Sequence, residues 1–74
     1  MMQKTIDTIE EVFHPDEHAP TADGWCSVVK VGNESVEVTV EMVPQVTVSG
    51  NSDASILLRK QLKSTFAGSG VRVR

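Results

Sequence analysis

Aromatic side chains are scarce: Trp25, Phe13 and Phe66 are the only three, and there is no tyrosine. The core must therefore be aliphatic, and little ring surface remains to stack bases or sugars. Cysteine is rarer still. Cys26 stands alone, so no internal disulfide is possible and nothing asks for an oxidising compartment. Long apolar runs are missing too, since Ile56-Leu57-Leu58 falls far short of the ~20 residues that span a bilayer. No apolar stretch follows Lys4, so no secretory signal is expected, and Asn33-Glu34-Ser35 matches the glycosylation pattern only by coincidence. The expected location is cytoplasmic, with no membrane partner.

Acid is absent from the last part of the chain. Residues 54 to 74 carry Arg59, Lys60, Lys63, Arg72 and Arg74 and no carboxylate, a net +5. Residues 1 to 53 carry all ten acids against Lys4 and Lys30, a net −8, and the two parts together give −3. Segregation of this kind suits an anionic partner, internal neutralisation, or one copy's basic end meeting another's acidic end.

With 74 residues, 39% hydrophobic and 23% charged, the composition is that of one small globular domain with a thin core. Met2, Ile6, Ile9 and Phe13 recur at helical spacing, and Pro15 disfavours helix at His14, so a helix is expected over about 2–13. An extended segment is the alternative, because Lys4-Thr5-Ile6-Asp7-Thr8-Ile9 contains β-branched residues. Residues 14–24 hold two prolines, a glycine and no periodicity, which predicts an exposed loop. A hairpin over 25–43 follows. Its buried face should be Trp25, Val29, Val31, Val36, Val38, Val40 and Met42, with Cys26, Val28, Lys30, Glu37, Thr39 and Glu41 on a mixed, mostly polar wet face. A turn through Gly32-Asn33-Glu34-Ser35 pairs Val31 with Val36, whereas a tighter Gly32-Asn33 turn shifts the partners and keeps the faces.

Alternation continues past Pro44 to Val48, too far for one straight strand in so small a domain, so the chain must bend near 43–45 and form a further strand at 45–49. Asn51-Ser52-Asp53 offers an N-cap to a helix over about 53–67, with Ala54, Leu57, Leu58, Leu62, Thr65 and Phe66 on its core face. Val71-Arg72-Val73-Arg74 alternates like a short final strand at 71–74. The expected fold is a two-layer α+β domain spanning 1–74, an antiparallel sheet packed by two helices. The order helix, three strands, helix resembles that of double-stranded RNA-binding domains in topology alone. The basic residues such domains place at the start of the second helix are missing here, where Ser52-Asp53-Ala54-Ser55-Ile56 stands.

Candidate chemistry is thin. His14, His18 and Cys26 are zinc-ligand types, but Pro15 breaks the helix that would align the histidines, and no Cys-x-x-Cys spacing accompanies them. Cys26 is expected among Thr39 and Glu41 on the wet face, where a neighbouring carboxylate raises a thiol pKa and opposes its use as a nucleophile. Gly68-Ser69-Gly70 follows a helix, where no N-terminal dipole could cradle a phosphate. No metal, no cofactor and no catalytic residue are therefore expected.

Arg59, Lys60 and Lys63 share one helix face, which Arg72 and Arg74 could extend if the final strand lies beside it. The favoured expectation is a non-enzymatic protein-interaction module that binds and occludes or regulates a macromolecular partner, in the manner of small phage- or plasmid-type regulators and inhibitors. That partner is expected to be another protein, and a homo-oligomer is compatible with the charge pattern. The alternative is weak nucleic-acid binding through those five cations.

Overall fold

The computed structural model describes residues 2–41 and 45–74, with only the backbone of Met2. Seven elements follow one another: α1 (Met2–Phe13), β1 (Glu17–Thr21), β2 (Gly24–Val31), β3 (Glu34–Glu41), β4 (Gln45–Val48), α2 (Asp53–Thr65) and β5 (Arg72–Val73). The strands form one sheet in the order β1-β2-β3-β4-β5, antiparallel except for the parallel β4–β5 pair. Both helices pack on the same side of it, giving a small two-layer α+β domain with a radius of gyration of 11.0 Å. Among the described residues, no helix is long and apolar enough to cross a membrane.

The hairpin faces are those the alternation predicts. Trp25, Val29, Val36, Val38 and Val40 are buried against Ile6 and Ile9 of α1 and Leu58, Leu62 and Phe66 of α2, and Val31 is half-buried. Met42 lies outside the described residues. The register is that of the tighter turn: Val31 pairs with Glu34 and Val29 with Val36, instead of Val31 with Val36. Two-residue connections match the twist of their strands when the first central residue has positive φ, and Gly32 sits at φ 63° with no side chain to clash. The bend expected near 43–45 falls partly outside the described residues, but Glu41 pairs with Gln45, so the chain does fold back there.

The segment 14–24 needs correcting. It was expected to be a loop, and its residues 17–21 form an edge strand paired with β2 from Glu17↔Val28 to Thr21↔Gly24. Every residue of β1 is exposed, so the apolar alternation that betrays a strand was never required of it. Pro20 fits because of the phase of the ladder. Ser49 N–H donates to Glu37 O, so odd residues of β3 bond β4 and even ones bond β2. Carried across β2, the alternation turns the odd residues of β1 inward and leaves His18 and Pro20 facing out, where a missing N–H costs no bond.

α2 begins as its cap sequence predicts: Ser52 Oγ accepts from Ser55 N–H at 3.2 Å and donates to the Glu34 carboxylate. Its core face is narrower than spacing implies. Ser55, Leu58, Leu62 and Phe66 are buried, Ala54 and Thr65 are half-buried, and Leu57 points away from the core at 48% exposure. Of the adjacent pair Leu57 and Leu58, about 100° apart on the helix, only one can face the sheet squarely.

Candidate functional site

Directly paired strand residues share a face, so the register assigns every side chain of the sheet to one side. Thr39 pairs with Thr47, Glu41 with Gln45, and Gln45 with Arg72. Arg74 lies beside Thr47, its N–H donating to Val46 O at 2.8 Å and its carbonyl accepting from Val48 N–H at 2.7 Å. Arg72 and Arg74 therefore stand on the uncovered side of the sheet, opposite the helices. They do not extend the basic face of α2, although β5 does lie beneath that helix.

Arg59 is withdrawn from the patch in another way. Its Nη2 donates to the carbonyls of Val48 and Gly50, both at 2.9 Å. Val48 also donates its N–H to Arg74 O, so Arg59 bonds the same edge of β4 that β5 pairs. Lys60 and Lys63 remain exposed on α2. The five cations are thus divided into two exposed lysines on the helix, one arginine holding backbone, and two arginines on the far side of the sheet.

The histidines and the cysteine are likewise separated. His18 pairs with Ser27 and sits on the helix side, its ring centroid 6.0 Å from that of Trp25 and its Nε2 3.8 Å from the Glu10 carboxylate. Cys26 pairs with Ala19 and Thr39 on the uncovered side. Burial, then the charge of Glu37 and a hydrogen bond to it, raise the thiol above its ordinary value. His14 closes α1, its N–H bonding Glu10 O at 3.1 Å in the left-handed region. Among the described residues, no three histidine, cysteine, aspartate or glutamate side chains group to hold a metal ion.

Two broad surfaces remain. The uncovered sheet face is mostly polar and carries Arg72 and Arg74; within it Gln45 Nε2 and Thr47 Oγ1 donate to Glu41 at 3.3 and 3.5 Å, and Ser49 Oγ donates to Glu37 at 3.5 Å. The helix layer is different. Val12, Ile56 and Leu57 are 52%, 44% and 48% exposed, and they are the exposed large hydrophobics among the described residues. A groove separates the helices, with Lys4, Thr5 and Thr8 across from Thr65, Phe66 and Ser69 at one end, and Val12 and Phe13 across from Gln61 and Ser64 at the other. The numbering rises along α1 as it falls along α2, so the helices run antiparallel.

No protein-family model, curated protein or solved structure matches the chain.

Val12, Ile56 and Leu57 were missing from the sequence-derived site. Two signals could have found them. Val12 lies about 100° off the Ile9–Phe13 stripe, and an Ile56-Leu57-Leu58 run on an amphipathic helix must leave part of itself in water.

Proposed function

We propose that this chain is a small non-enzymatic protein-interaction module, working in the cytoplasm by binding and thereby occluding or regulating a partner protein. The observation that carries this reading is the helix layer, where Val12, Ile56 and Leu57 stand half in water between acidic and basic side chains. Apolar groups rimmed by charge are what protein interfaces desolvate, whereas scattered polar groups that already bond one another gain little from a partner. On the sheet's uncovered side, Glu37 and Glu41 are already bonded by Ser49, Gln45 and Thr47. Weak nucleic-acid binding has less support, because the candidate cations are split between surfaces: Lys60 and Lys63 on the helix layer, Arg72 and Arg74 on the uncovered sheet side, and Arg59 bonded to backbone.

Site-specific photo-crosslinking in the native host tests the reading. A photoreactive residue at position 57 is expected to yield discrete protein adducts, and the same group at position 39, on the uncovered sheet face, to yield few. Adducts from position 39 alone, or from neither, would reject it.

A further inference from the structure

We propose that the helix layer is self-complementary and that the partner it binds is a second copy of this chain. The proposal rests on the interaction-module reading and names its partner. The argument starts from where each charge lies across the layer. On α1, Asp7 and Glu11 are exposed and point away from the Ile6–Ile9 stripe, while Glu10 leans toward His18 on the β1 side. Lys4 is the single cation of that helix. On α2, Lys60 and Lys63 are exposed on the outer surface and toward the β5 side, and Asp53, in the first turn, is its single acid. Between these flanks run Val12, the groove and Leu57. Crossing the layer from the β1 side to the β5 side therefore passes from acid, over a groove that mixes Val12 and Phe13 with Thr5, Thr8 and Ser64 and carries Lys4 at one end, to base.

A two-fold contact matches a surface to itself, each position meeting its symmetry mate's counterpart. An axis lying in the contact plane along the helices sets α1 of one copy over α2 of the other. By the level at which the helices lie across the groove, Glu11 then faces the other copy's Lys63 twice over, Asp7 lies over the same basic helix one turn further along, and Val12 and Leu57 of each copy lie near the axis. An axis across the helices would set α1 on α1 and α2 on α2, opposing like charges, which disfavours association. The charge order thus selects one of the two arrangements, and with a second copy the complementarity is guaranteed by the chain itself.

Size sets the strength. The two longer molecular extents are 30 and 26 Å, so even the whole layer offers only on the order of the ~800 Å² that each partner of a stable complex buries. The dimer should therefore be modest in affinity and sensitive to salt.

Sedimentation equilibrium on the intact chain, with two charge-reversed variants, tests this. The wild type is expected to show a monomer–dimer equilibrium at low ionic strength, its affinity falling about tenfold or more on raising salt to half molar. K60E/K63E makes both helices acidic and D7K/E11K makes both basic, so each alone is expected to be monomeric. All four positions are exposed, and circular dichroism checks that both variants stay folded. Mixed in equal amounts, the two variants are expected to regain the dimer mass.

A wild type monomeric at every concentration and salt would overturn the proposal, as would a dimer that survives both reversals. Loss in both variants without recovery on mixing would also overturn it. A monomeric wild type that still crosslinks other proteins through position 57 would sink the second-copy proposal while leaving the interaction-module reading standing.

Discussion

Gly24 and Ser27, three residues apart on one strand, show how differently two small side chains can be constrained. A methyl group on Gly24 would meet the backbone carbonyl oxygen of Val40 at 2.0 Å, a clash no rotamer relieves. Gly24→Ala should therefore destabilise by about 2 kcal/mol or more, because backbone must move. Ser27 is buried against the core, and its hydroxyl has no hydrogen-bond partner among the described residues. An unpaired buried hydroxyl costs about 1–3 kcal/mol, so Ser27→Ala should be neutral or stabilising by up to about 1 kcal/mol. Thermal melts of the two variants, shifted in opposite directions or with Ser27→Ala unchanged, would agree; a Gly24→Ala melt at the wild-type temperature would not. Cys26 gives a third test. Its thiol is held protonated by burial and by Glu37, so alkylation near pH 8 should run slower than for a free cysteine, and Glu37→Gln should speed it. Because the folded pKa is raised, the stability linked to this thiol is complete below the ordinary thiol value and lost as pH rises through the folded one. Alkylation at the free-cysteine rate in the wild type would contradict the assignment.

Elements owe their positions to alternation, caps and pairing in unequal measure. The central hairpin was legible because one face is water and the other is core, which writes a period of two into β2 and β3. Val38, fully buried, and Thr39, half-buried on the other side, make the test direct. Val38→Asp should cost more than about 3 kcal/mol by placing a carboxylate among aliphatic side chains, whereas Thr39→Asp should cost under about 1 kcal/mol. Equal shifts in denaturant midpoint would overturn the faces. β1 was not legible for the converse reason: with water on both sides it carries no period, and only its pairing with β2 makes it a strand. α2 was legible in its cap and its buried line, Leu58-Leu62-Phe66, but not in the outward turn of Leu57.

At the scale of the whole molecule, the division of the cations decides what the surface can bind. If Lys60 and Lys63 each neutralised one phosphate, the logarithm of duplex affinity would fall against the logarithm of salt with a slope of about −1.8. Two contacts on a chain of net charge −3 should give no appreciable binding at physiological salt. Fluorescence anisotropy with a labelled duplex measures this. Submicromolar binding at that salt, lost in K60E/K63E, would show that the lysines of α2 are a nucleic-acid surface after all.

Spacing and composition suffice for the two-layer class, the hairpin faces, an N-cap within Asn51-Ser52-Asp53 and the segregation of acid from base. Each of these is local, set by spacing along a few residues and by which of them water tolerates. Long-range packing sets which side of the sheet Arg72 and Arg74 occupy, that Arg59 donates to Val48 and Gly50, and that Val12, Ile56 and Leu57 share the exposed helix layer. Those outcomes depend on the parallel register of β5 against β4 and on how two antiparallel helices sit over one sheet. Both are pairings between segments distant in sequence, and a shift of one residue in the first would have put the two arginines on the other face.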